Sequence, residues 1–174
     1  MTKLIVFVVV SVPVLWFSWP FLRDRTKHGF YRFFAFECLI VLLLLNIDYW
    51  FVDPLSFPQI IAWILLISSG ILAIHGFTLL RRIGRPRGDF ENTTQLVVVG
   101  VYKYIRHPLY ASLLYLGWGI YFKHISLEGG ALALAVSFLL IGTAKTEEQE
   151  NVAKFGAAYE GYMKETRMFI PFLF

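Results

Sequence analysis

Charge and cysteine are what this chain has least of. Only 16% of its 174 residues are Asp, Glu, Lys or Arg, against about 25% in an ordinary soluble domain. Hydrophobic residues make up 57% and aromatics 18%. That balance excludes a soluble globular protein and predicts an integral membrane one. It also sets nucleic acid aside as a partner, although Lys+Arg outnumber Asp+Glu by 16 to 12. The single cysteine, Cys38, lies inside an apolar run. A disulfide framework is therefore excluded, and the thiol reads as a small buried hydrophobe. There is no internal repeat and no low-complexity tract, and the length allows one domain, 1–174.

What is present is a series of apolar runs. Leu4–Leu22, about Phe33–Phe51, Ile60–Leu80, a split stretch (Leu96–Val101 with Leu109–Phe122) and Ile125–Ala144 predict about five transmembrane helices, each needing about 20 residues. Lys145–Lys164 predicts a C-terminal amphipathic helix, because Glu148, Val152, Phe155, Tyr159 and Tyr162 recur at three- and four-residue steps. The expected fold is all-α, a polytopic helix bundle. Of the 16 basic residues, 4 lie in Arg23–Arg32, 6 in Arg81–Arg106 and 4 in the C-terminal tail. Five crossings put those three segments on one face, which the positive-inside rule makes cytoplasmic. The N-terminus is then outside and the C-terminus inside. Glu37 and Asp48 are ionisable residues in or at the ends of the second run, by default a hint of function; the plainer alternative pairs Glu37 with Arg32 or Arg23 and makes Asp48 interfacial.

Two polar knots interrupt this pattern. The first is Gly100 to Tyr110, with two cations, a histidine, three tyrosines and a proline where a membrane segment should be bland. Pro108 lacks an N–H and restricts His107 to extended backbone, so a helix is expected to start there. Free N–H groups at a helix start suit an anionic ligand group. The second knot is Lys145-Thr146-Glu147-Glu148-Gln149-Glu150. Arg106 and His107 can bind a carboxylate, and Glu147 or Glu148 an ammonium, so the pair of knots suits a zwitterionic, amino-acid-like ligand. The plainer alternative is that the cations anchor a span and the acids open a tail helix.

These residues resemble a known family. Leu96-Val97-Val98-Val99-Gly100-Val101-Tyr102, Arg106-His107-Pro108-Leu109-Tyr110, Glu147-Glu148, Phe155-Gly156-x-x-Tyr159-x-x-Tyr162 and Pro171 are similar, in order and spacing, to the isoprenylcysteine carboxyl methyltransferase and phospholipid methyltransferase superfamily. The resemblance covers roughly the last eighty residues. It implies an integral membrane methyltransferase using S-adenosyl-L-methionine and releasing S-adenosyl-L-homocysteine. It further implies a three-span scaffold over 1–80 and a donor-binding half over 94–171. By the same resemblance the donor is held by Gln95, Leu96, Val97, Tyr102, His107, Pro108, Leu109, Tyr110 and Glu147 or Glu148, with no metal. Gly117 and Gly119 match a Gly-x-Gly of the phospholipid-methylating members, though small residues also serve close helix packing. His107, Glu148 and Arg106 are the candidates for catalytic roles. Prenylcysteine-methylating members carry an arginine four residues before the first glutamate, where this chain has Thr143.

The expected acceptor is a lipid or another lipophilic small molecule entering from the bilayer. Two competing classes remain at this stage. One is a sterol-reductase-like, NADPH-dependent membrane enzyme, whose cofactor phosphates would call for more converging arginines. The other is a non-enzymatic scaffold or transporter, which would carry polar residues near the bilayer midplane.

Overall fold

The computed structural model describes residues 1–24, 26–87 and 92–173. Among the described residues six α-helices follow in order: α1 (Thr2–Leu22), α2 (His28–Asn46), α3 (Phe57–Ile83), α4 (Pro108–Tyr121), α5 (Leu127–Phe155) and α6 (Ala157–Glu165). Short 3-10 turns occupy Ile47–Tyr49 and Gly100–Lys103. Among the described residues, four helices are long and apolar enough to cross a membrane: α1, α2 with its 3-10 extension to Tyr49, α3 and α5. The fourth expected span instead forms the 14-residue α4. It is short because the chain before Pro108 is held extended, as the proline dictates.

The C-terminal helix is present, but not over the expected range. α5 continues without a break through the second polar knot to Phe155, and α6 starts afresh at Ala157. Gly156 separates them with φ 56° and ψ −135°, a conformation that side chains with a Cβ resist.

The chain divides into two compact units, Met1–Leu66 with Leu114–Glu147 and Ile67–Leu113 with Glu148–Phe174. In the first unit, Leu42, Ile120 and Ala133 form a buried cluster packed by Leu116, Trp118 and Leu132. A Cβ on Gly29 would fall 2.4 Å from Phe21 Cγ, so α1 and α2 touch through that glycine. Several polar groups in this unit are tied off locally, as an apolar surround favours. Asn46 Nδ2 donates to the Ile120 carbonyl (3.0 Å). Ser11 Oγ donates to Glu37 Oε2 (2.7 Å), and Lys3 Nζ to Asp48 Oδ2 (2.6 Å). Buried Lys123 gives its ammonium to Gln59 Oε1 (2.9 Å) and the Trp50 carbonyl (3.3 Å), and sits 3.4 Å above the Trp63 ring. Burial lowers its pKa below the usual lysine range.

Along α1 only Ser18 is buried. Leu4, Val9, Val12 and Trp16 are each more than half exposed, the pattern of a helix whose partner is lipid rather than protein.

The second unit contains the end of α3, the start of α4, the end of α5, α6 and the tail. Its extended stretch before α4 pairs with the tail in a parallel bridge between Ile105 and Arg167. The Arg106 N–H donates to the Arg167 carbonyl (2.8 Å), the Arg167 N–H to the Tyr104 carbonyl (3.1 Å) and the His107 N–H to the Met168 carbonyl (3.2 Å). Backbone that Pro108 keeps out of a helix is satisfied in this way.

Candidate functional site

The first polar knot takes its shape from Gly100. Its φ of +62° is in the left-handed region, and an added Cβ would lie 2.6 Å from Leu79 Cδ1 and 3.2 Å from His75 Nε2. Glycine alone meets both demands. The 3-10 turn that follows buries Tyr102, whose hydroxyl donates to the Gly76 carbonyl (3.4 Å). Tyr104 closes that turn in the helical region, and the chain runs on through Ile105–His107 to enter α4 at Pro108. Gly76 lets α3 approach that entry, since a Cβ there would be 3.2 Å from Pro108 Cγ.

Arg106, His107 and Glu148 form a buried clasp. Arg106 Nε donates to Glu148 Oε1 at 2.6 Å, and His107 Nε2 lies 3.3 Å from the same oxygen. The side chains of Arg106 and Glu148 are each 10% exposed and that of His107 3%. A carboxylate so placed is stabilised by charge-assisted bonds rather than by water. Arg106 also reaches α6: Nη1 donates to the carbonyls of Thr166 (2.5 Å) and Met163 (3.2 Å). Those carbonyls belong to the end of a helix and its exit, where orphan acceptors and the negative dipole end favour a cation. The His107 ring is stacked on Tyr110 (5.6 Å between centroids, 21°) and meets Phe169 at 6.3 Å.

A second layer fixes the tyrosines. Tyr162 Oη donates to the Tyr102 carbonyl at 2.6 Å, and burial raises its phenol well above the ordinary range. Burial thus favours the neutral phenol that donates to this carbonyl. Sequence reasoning placed Tyr162 in a motif without giving it a role in the site; its three-residue step from Tyr159 was the signal. Phe169 and Thr166 carried no signal of any kind, because their roles depend on the tail's pairing.

Within the second unit the structure brings together most of the expected donor-site residues. Val97, Tyr102, His107, Pro108, Tyr110 and Glu148 are buried, Leu96 and Leu109 half-buried, and Gln95 exposed with its N–H on the Gly84 carbonyl (3.1 Å). Of the paired glutamates, Glu148 is the one in the clasp. Glu147, Gly117, Gly119 and Thr143 belong to the first unit. There a Cβ on Gly117 would be 3.2 Å from Leu39 Cδ2, and one on Gly119 3.0 Å from Leu66 Cδ2 and 3.3 Å from the Ala62 carbonyl. Both glycines thus serve close helix packing. Thr143 Oγ1 is spent on the Leu139 carbonyl (2.8 Å).

Fold and clasp together define a helical membrane protein with a buried arginine–histidine–carboxylate constellation beside its C-terminal tail. A family model described as phospholipid methyltransferase matches residues 57–158, more than half of the chain. The chain belongs to the phospholipid methyltransferase family. It is also 35% identical over 74 residues to a methanethiol S-methyltransferase from a Pseudomonas species. That match covers 41% of this chain and 26% of the relative, so the chain matches about a quarter of the relative's length.

Proposed function

We propose that the protein is a membrane methyltransferase that uses S-adenosyl-L-methionine to methylate a lipophilic acceptor arriving from the bilayer. The observation that carries this is the Glu148 carboxylate. Oε1 receives both Arg106 and His107, on a residue only 8% exposed. A carboxylate held at one oxygen by two donors keeps its charge, and it suits the ammonium or a hydroxyl of an amino-acid-bearing nucleoside. Gln95, Leu96, Val97, Tyr102 and His107–Tyr110 supply the rest of the donor wall in this reading. Glu147, Gly117 and Gly119 stay assigned by resemblance alone.

When bound, the donor supplies a methyl already activated on a sulfonium. The residues are left with holding, orienting and keeping water out, and alignment in a dry site can supply most of the acceleration. Arg106 positions Glu148 and anchors the tail. His107 is held by Glu148, Tyr110 and Phe169, so its ring cannot wander. A thiolate or carboxylate acceptor needs no base; an amine would surrender its proton to His107 or Glu148. Thr143 offers no charge to a prenylcysteine carboxylate. The similarity to a methanethiol S-methyltransferase favours a small hydrophobic thiol, beside a phospholipid amine, among the acceptors to be screened.

Titration calorimetry of the detergent-purified protein with S-adenosyl-L-homocysteine tests the donor site, with a nicotinamide dinucleotide as control. Saturable binding that Glu148→Ala abolishes is expected. Binding of the dinucleotide alone would replace the proposal with a reductase, and binding of neither would leave a membrane scaffold.

A further inference from the structure

We propose that Lys103, Tyr104, Arg167, Phe172 and Leu173 form an interfacial anchor that beds the C-terminal tail into a bilayer surface carrying anionic headgroups. The bridge between Ile105 and Arg167 gives this paired ribbon two unlike faces. Ile105, Met168 and Phe169 turn inward and are at most 9% exposed. Outward stand Tyr104 at 48%, Phe172 at 82% and Leu173 at 79%. The Tyr104 and Phe172 rings meet edge to face, 6.3 Å apart, so the aromatic patch is assembled from both strands of the ribbon. Phe172 holds φ 67°, a strained conformation for a bulky residue, without any protein core to cover its ring.

Charge says what covers the patch. Lys103, Lys164 and Arg167 are exposed and make no ion pair among the described residues, and Glu165 is the exposed acid on the same stretch. Aromatic rings with unpaired cations are the composition of the membrane–water boundary. Position agrees. Tyr104 lies four residues before Pro108, where α4 begins, and four extended residues reach at most about 14 Å. An anchor there cannot sit far from the bilayer that α4 enters. The inner side of the same ribbon carries the Met168 carbonyl that receives the His107 N–H, and Phe169 against the His107 ring. Bedding the outer side would therefore hold the inner side closed. The anchor does not depend on what the second unit binds.

The test uses the full chain with Cys38→Ser and Phe172→Cys, labelled at position 172 with an environment-sensitive dye. It is placed in nanodiscs of phosphatidylcholine, or of phosphatidylcholine with phosphatidylglycerol. In anionic discs the label should be shielded from iodide and quenched by nitroxide-bearing lipid. Adding Lys103→Glu and Arg167→Glu should restore iodide access, each lost cation weakening engagement about fivefold. An unchanged unfolding temperature in that variant would show that the fold survived. A label as open to iodide in anionic discs as the free dye in solution would overturn the anchor. Shielding that is equal in neutral discs and insensitive to the charge reversals would overturn its anionic preference.

Discussion

Removing one member of a buried ion pair costs more than the pair itself contributes, because the survivor keeps its charge and has lost its water. Arg106 and Glu148 are such a pair, yet their two deletions should differ. Arg106 also carries the carbonyls of Met163 and Thr166, so Arg106→Met strands a carboxylate and two acceptors at once. It should cost about 3–5 kcal/mol, read as a large fall in unfolding temperature in detergent. Glu148→Gln keeps the shape and leaves Arg106 its carbonyls. It should cost less stability but weaken S-adenosyl-L-homocysteine binding about tenfold or more, the worth of one charge-assisted bond. Equal stability losses with unchanged binding would make the clasp purely structural. Tyr162→Phe should cost about 1–3 kcal/mol by leaving the buried Tyr102 carbonyl unmet, measured the same way. At this scale the sequence showed Arg106, His107 and the two glutamates as the chemistry-bearing residues. It could not choose between Glu147 and Glu148, since neighbouring positions on a helix differ only by the turn of that helix, and the helix's register was not visible.

Helices end where a backbone conformation, rather than a pattern of polarity, forbids them to go on. The apolar spacing from Val152 through Phe155 to Tyr159 and Tyr162 is continuous across Gly156, which is why one tail helix was expected where α5 and α6 are found. Periodicity carries no information about the sign of φ. Pro108 was legible because its ring acts the same way in every context. The pairing of Ile105 with Arg167 was not, because two short extended segments far apart in sequence leave no signal in either. The two left-handed glycines allow a comparison. Gly156 has nothing within 4 Å of an added Cβ, whereas at Gly100 the Cβ meets Leu79 and His75. Gly156→Ala should thus show the conformational cost alone, about 1–3 kcal/mol. Gly100→Ala should exceed it and also loosen donor binding, because the turn sets Tyr102. Thermal unfolding of both variants checks the order; Gly156→Ala being the worse of the two would refute the steric part.

For the molecule as a whole, the parity of the membrane crossings turns on α4. Fourteen residues make about 21 Å of helix, short of a hydrocarbon core of about 30 Å, so length alone leaves α4 outside the set of plain spans. Charge placement argues that it crosses. The basic segments Arg81–Arg106 and Lys145–Arg167 lie on either side of α4 and α5 in the sequence. If α4 turned back, the crossing by α5 would put these segments on opposite faces, against the positive-inside rule. The clasp points the same way. Arg106, just before α4, touches Glu148, about 21 residues or some 31 Å along α5 from its start; the chain must return to the level it left. Tags on the two termini, probed for accessibility from each side of sealed vesicles, should therefore report opposite faces, with the amino end outside and the carboxyl end cytoplasmic. Both tags on one face would mean that α4 is re-entrant, and would remove the reason for placing the two polar knots on a shared cytoplasmic side.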